Sequence, residues 1–179
     1  MEIKTHKLKN GRTVELREAT SGDAAELLSF IHKVSSESDY LTFGSAEFDM
    51  GEDEEKTYLE TQFNSKNQIY LVATIENKIV AMLNFTGGKR PRTQHSGEFS
   101  MVVRKSDWGL GIGSYLVDTL LKWAKSTQII KKLNLRVRAD NFTAIHLYEK
   151  KGFVREGTLR KEIFIDGKYY DLLWMGLEL

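Results

Sequence analysis

The chain has 179 residues, 41% hydrophobic and 28% charged, with a formal net charge of +1, a profile in the ordinary soluble globular range. A near-neutral balance gives no reason to expect a nucleic-acid or membrane partner, and no apolar run approaches membrane-spanning length. The absence of Cys excludes disulfides, thiolate metal sites and a cysteine nucleophile, and makes the cytoplasm the expected location.

In chain order, "EIKTHKL" and "RTVELREA" flank an Asn10-Gly11 pair and predict a hairpin. "SGDAAELLSFIHKVSSES" predicts a helix capped by Ser21 or Asp23, with Ala24, Leu27, Leu28, Ile31 and Val34 at helical spacing. After the aromatic loop "DYLTFGSAEFDMG", "EDEEKTYLETQFNS" predicts a second helix whose first turn carries acids, as the helix dipole favours. Three strands follow, "QIYLVATIE", "KIVAMLNFTGG" and "SGEFSMVVR", the first two joined by a tight turn at Glu76-Asn77-Lys78. A glycine loop then opens the helix "GSYLVDTLLKWAKST", with Leu116, Leu120, Trp123 and Ala124 on one stripe. "KKLNLRVRA" alternates as a half-buried strand, "NFTAIHLYEKKG" is a short helix ending at Gly152, and the last 27 residues form a hairpin turning at Asp166-Gly167. Helices falling between runs of strands imply a mixed α/β fold with a largely antiparallel sheet. One Pro, no low-complexity tract, no internal repeat and no apolar leader core in "MEIKTHKLKNG" point to a single domain over residues 1–179.

The loop "SDWGLGIGSYL" places Gly109, Gly111 and Gly113 at alternate positions between a strand and a helix, where bare backbone N–H groups and a helix N-terminus can converge on an anion. It is not a P-loop, because Ser114 and Tyr115 stand where Lys and Ser/Thr belong, and the sixth position of a dinucleotide fingerprint counted from Gly109 is Ser114. Spacing alone leaves a tight turn between closely packed backbones as the alternative to a ligand site.

Downstream, "LNLRVRADNFTAIHLYEKKGF" runs strand, Asn, short helix with a Tyr, Gly-Phe. Together the two segments resemble the GNAT superfamily of acetyl-CoA-dependent N-acetyltransferases, with its [QR]-x-x-G-x-[GA] loop and its N-x-x-A-x-x-x-Y-x-x-x-G-F segment. The matching residues are Gly111 and Gly113, then Asn141, Ala144, Tyr148, Gly152 and Phe153. Trp108 departs from the usual Gln or Arg, and this "W-G-x-G-I-G" version is similar to the branch holding ribosomal-protein and polyamine acetyltransferases. The element order fits the family's six- or seven-stranded plan over nearly the whole chain.

The resemblance implies a splayed pair of parallel strands, here "SMVVR" and "LNLRVRA", with helices on both faces of the sheet. It implies that acetyl-CoA lies in the gap, its pantetheine arm on the backbone of Met101, Val102 and Val103. Its diphosphate is then expected on the amides of Gly109, Leu110, Gly111, Ile112, Gly113 and Ser114, with Trp108, Asn141, Ala144 and Lys150 also at the cofactor. An acceptor amine would attack the thioester directly in a ternary complex. Tyr148 is the expected acid for the departing thiolate, with a core aromatic as its plain alternative. Glu98 is the candidate base, His95 a second, and a water chain a third.

Glu47, Asp49, Glu52, Asp53, Glu54 and Glu55, with Tyr40, Phe43 and Phe48, would suit a cationic acceptor, or they are simply a solvated helix start. The turn "IDGKYYD" is expected to close the acceptor cleft, and in the family this hairpin is a frequent dimer contact. The acceptor, a small amine or a protein or peptide amine, is left open. There is no H-E-x-x-H, close His pair or calcium loop, so no metal is expected, and no G-x-S-x-G elbow. A CoA-binding sensor or scaffold without turnover, or another nucleotide-binding α/β protein, are the competing readings.

Overall fold

The computed structural model describes residues 3–44 and 47–179; the first residue of the strand expected from Glu2 lies outside them. The strands are β1 (Lys4–Lys7), β2 (Thr13–Glu18), β3 (Gln68–Ile75), β4 (Lys78–Gly87), β5 (Ser96–Val103), β6 (Lys132–Arg138), β7 (Val154–Ile165) and β8 (Lys168–Glu178). The helices are α1 (Ala24–Ser35), α2 (Glu52–Phe63), α3 (Ile112–Thr127) and α4 (Phe142–Lys150). One sheet carries all eight strands in the order β1-β2-β3-β4-β5-β6-β8-β7, so the molecule exceeds the six or seven strands of the expected plan. Every neighbouring pair is antiparallel except β5 with β6.

The turns follow from their residues. Glu76 and Asn77 take φ of 51° and 60°, and Asp166 and Gly167 take 47° and 79°, the left-handed pairs that match the twist of a two-residue hairpin. The terminal hairpin is bulged twice in β7, once around Lys161, whose N–H bonds the Asp171 carboxylate at 2.8 Å.

The sheet separates two apolar layers, with helices on both faces. On one face α3 and α4 cover β3 to β6 and β8, burying Leu116, Leu120, Ala124, Ile145 and Tyr148 against Phe85, Phe99, Leu133 and Met175. On the other, α1 and α2 bury Leu27, Phe30, Ile31, Val34 and Leu59 over Tyr70, Val72 and Met82. Phe30 takes the fully buried place that spacing gave to Leu28, which is half-buried. Asp23 does not cap α1 forward. Its carboxylate turns back to the Thr20 N–H at 2.8 Å and to both terminal nitrogens of Arg17 at 2.8 and 2.6 Å, clamping the β2–α1 corner.

Candidate active site

β5 and β6 pair over three positions only, Ser96 with Lys132, Gly97 with Leu133 and Glu98 with Asn134. Beyond them β5 stays paired with β4 as far as Val103, while β6 continues against β8 alone. The two strands therefore part after Glu98 and leave a gap that widens toward the glycine loop. The Arg104 N–H bonds the Val80 carbonyl at 2.9 Å, so strand alternation turns the backbone groups of Val102 toward β4 and those of Met101 and Val103 toward the gap. The Val103 carbonyl accepts from the Trp108 indole N–H at 2.7 Å, which ties the glycine loop to the end of β5. This is what Trp108 does in place of the usual Gln or Arg.

The start of that loop is fixed by a charged node. Asp107 lies in a one-turn 3-10 helix (Lys105–Asp107), its side chain fully buried, and binds Arg12 at 2.5 Å and Arg104 at 2.7 Å. Burial alone would raise its carboxyl, but hydrogen bonds from Arg104, Arg12 and Ser106 outweigh this and hold it below the ordinary carboxylate range. Arg104 stands three residues before Asp107, whereas Arg12 is 95 residues distant.

Gly109 and Gly111 have φ of +75° and +97°, conformations that glycine takes without strain, and Gly111 is the N-cap of α3. No side chain caps α3 and no acid stands in its first turn. Tyr115 donates to the Gly111 carbonyl, so the N–H groups of Ile112, Gly113 and Ser114 are the helix's free donors. Gly113 is not at positive φ; a Cβ there would meet the Met101 methyl at 3.2 Å. Uncapped donors, a dipole end without nearby acid and an open strand edge leading to it fit a diphosphate with an extended thiol arm.

On the same face, α4 starts where the Asn141 side chain accepts from the Ala144 N–H at 3.2 Å, the capping role expected of an Asn. Tyr148 is only 6% exposed, its ring edge-on to Phe99 (5.8 Å) and Phe153 (6.0 Å), and burial pushes its phenol well above the usual value. Phe99 directly follows Glu98, so the ring stands beside the point of divergence. Lys150 is exposed; its neighbour Lys151 binds Asp118 of α3 at 2.7 Å and locks α4 to α3.

The opposite face carries the polar side chains of the site. The β4–β5 register runs without a bulge from Gly97 to Val103, so Glu98 stays on the α1/α2 face. There it binds Arg136 of β6 at 2.6 Å, a pairing across two strands that sequence gave no means of seeing. Arg136 and Asn134 project on this side of β6, and the Asn134 amide reaches Ser96 at 3.0 Å and the Gly97 carbonyl at 3.1 Å. His95 is exposed, just before β5 at the paired end, and its carbonyl accepts from Lys131 and Lys132.

At the wide end of the gap, Arg138 of β6 grips Asp140 through two nitrogens and lies between the rings of Tyr40 (4.8 Å) and Tyr170 (3.8 Å). A cavity of about 300 Å³ opens there, lined by Glu37, Asp39, Tyr40, Lys105, Trp108 and Arg138. The terminal hairpin thus reaches the mouth of the gap through Tyr170, whereas Tyr169 is turned to Phe164 at 4.8 Å and is exposed. Among the described residues, no group of three His, Asp or Glu side chains is placed to hold a metal ion.

Residues 36–153 match the Acetyltransferase (GNAT) family. The fold is similar to that of an acetyltransferase of the GNAT family from Streptococcus pneumoniae, with a TM-score of 0.90 and 36% identity over 93% of this chain and 99% of that one. The chain is 25% identical to the spermidine N(1)-acetyltransferase of Vibrio cholerae over 158 residues, 88% of each protein. YncA of Salmonella typhimurium, solved with its cofactor acetyl-CoA, shares the fold at a TM-score of 0.80 and 18% identity, covering 93% of this chain and 94% of that one. With the parted strands, the uncapped glycine loop and the Asn–Tyr helix all in place, the chain belongs to the GNAT acetyltransferase family.

Proposed function

We propose that residues 1–179 form one cytoplasmic N-acetyltransferase domain that moves an acetyl group from acetyl-CoA to a primary amine in a ternary complex. The observation that carries this is the three-residue pairing of β5 with β6, followed by divergence toward an uncapped helix start. The N–H groups of the Gly109–Ser114 stretch would hold the diphosphate, and the Met101 and Val103 backbone would pair with the pantetheine arm. Trp108 and Leu110 shape the loop, Asn141 and Ala144 build the start of α4, and exposed Lys150 would meet phosphate from solvent.

Bound acetyl-CoA supplies an activated thioester carbonyl. The acceptor nitrogen forms the new C–N bond as the C–S bond breaks, so one proton must leave the amine and one must reach the sulfur. Tyr148 suits the second task, because its buried phenol keeps its proton across the neutral range. Glu98, at the point of divergence and facing the α1/α2 side, suits the first, directly or through water, and Arg136 fixes its position. His95, at the paired end of β5, is the less well placed candidate. The exposed pair Phe164 and Tyr169 on the terminal hairpin offers an apolar surface for a second copy, and we place any homodimer contact there.

Release of CoA thiol from acetyl-CoA in the presence of a panel of primary amines tests this reading. Turnover with at least one amine is expected; acetyl-CoA bound tightly with no release across the panel would overturn it in favour of a sensor.

A further inference from the structure

Of the six acids from Glu47 to Glu55, five are exposed and are either spent on local contacts or turned to water. Glu47 bonds the Gly44 N–H at 2.7 Å, Glu54 bonds the Gly51 N–H at 3.1 Å, and Glu52 and Asp53 bind Lys56. Glu55 goes the other way. It is 2% exposed, it forms no ion pair among the described residues, and its Oε1 is buried without a hydrogen-bond partner. A buried acceptor left unpaired costs stability, and more so when the group is charged.

Two further side-chain oxygens among the described residues share that condition, Gln62 Oε1 and Asn134 Oδ1. All three lie on the α1/α2 face. Glu55 and Gln62 are two turns apart on the inward stripe of α2, with Leu59 between them. The Gln62 amide faces Thr86, Thr86 lies opposite Glu98, and Glu98 lies opposite Asn134, a row crossing from α2 to β6. A second row runs beside it: Tyr70 opposite Asn84 and Asn84 opposite Ser100, with the Tyr58 hydroxyl accepting from Asn84 at 3.2 Å and the Ser100 hydroxyl donating to Asn84. This face therefore offers spare acceptor oxygens and one unbalanced carboxylate, from beneath α2 to the place where β5 and β6 part.

We propose that Glu55 is a specificity-determining residue that selects an acceptor carrying a second ammonium group in addition to the amine that is acetylated. Such a molecule brings the charge and the N–H donors that these three oxygens lack, whereas an amino acid brings a carboxylate that Glu55 repels. Burial pushes the Glu55 carboxyl above its ordinary range, in keeping with a site that awaits a cation. Glu55 sits in the first turn of α2, one turn before Leu59, the helix's fully buried apolar side chain.

The proposal rests on the acetyltransferase reading, and the test separates the two. Kinetics with spermidine and with n-propylamine are compared in the wild type, Glu55→Gln and Glu55→Asp. The wild type is expected to favour spermidine; Glu55→Gln should raise its KM at least about tenfold while kcat and both constants for n-propylamine hold, and Glu55→Asp should restore part of the loss. An unchanged spermidine KM in Glu55→Gln would overturn the proposal, as would equal losses for both amines. Calorimetric titration of spermidine into the CoA-saturated proteins reads the subsite without turnover. Weaker binding to Glu55→Gln supports it even if no amine is acetylated, an outcome that would sink only the acetyltransferase reading; equal binding overturns it.

Discussion

At the scale of single residues, one backbone conformation separates two glycines that look equivalent in sequence. Gly111 holds φ at +97° and caps α3, a state that costs a β-branched residue about 1–3 kcal/mol of strain, whereas Gly113 has ordinary helical geometry and only the flexible ends of the Met101 and Leu147 side chains nearby. Gly111→Val should therefore weaken CoA binding at least about tenfold in calorimetry, while Gly113→Ala stays within about threefold of the wild type. Equal losses in both would show that size, not backbone shape, governs the loop. Tyr148→Phe removes the buried hydroxyl and keeps the ring, so the Phe99–Tyr148–Phe153 cluster should survive with a melting temperature close to that of the wild type. If the phenol protonates the leaving thiolate, kcat should fall about 100-fold or more in steady-state assays with KM for acetyl-CoA little altered. A fall of less than about threefold would leave Tyr148 as a core aromatic only.

Among the elements, the glycine loop and α2 are held in opposite ways. The loop is pinned by Asp107, whose carboxylate gathers its near neighbours Arg104 and Ser106 and the distant Arg12. Asp107→Ala strands two guanidinium groups that are partly exposed, so a loss of about 1–3 kcal/mol in urea unfolding is expected, with CoA affinity falling alongside. Because this carboxyl titrates lower in the folded chain than in the unfolded one, its stabilisation is present above the unfolded value and is lost as pH falls through the folded one. The helix α2 carries the reverse sign. Glu55 is raised by burial, so it costs stability above its folded value, and that cost fades as pH falls from the folded value to the unfolded one. Glu55→Gln should consequently be more stable than the wild type at pH 7, and the gap should close on acidification in thermal melts; a less stable variant at pH 7 would contradict the unbalanced carboxylate.

For the molecule as a whole, the strands and helices were legible because each has its own periodicity and its own stop signals. Alternation marks β6, the spacing of Leu116, Leu120 and Ala124 marks α3, and Asn77 and Gly167 mark two hairpin turns. The resemblance carried by the two motif segments also implied the parted strands, and the glycine loop does open α3. What could not be read was pairing between distant segments. Glu98 with Arg136, Asp107 with Arg12 and the row from Gln62 to Asn134 depend on how segments far apart in sequence come together. Sequence offers Ser21 or Asp23 as the cap of α1 and does not show that Arg17 and Thr20 compete for the Asp23 carboxylate.

The central claim is that the parted strands and the uncapped start of α3 form one continuous cofactor site, and a crystal structure with CoA tests it most directly. The diphosphate should lie against the N–H groups of Gly109 to Ser114, with the pantetheine amides on the Met101 and Val103 backbone and the sulfur near Glu98 and Tyr148. A diphosphate bound elsewhere, or a β5–β6 pair zipped closed beyond Glu98, would contradict it.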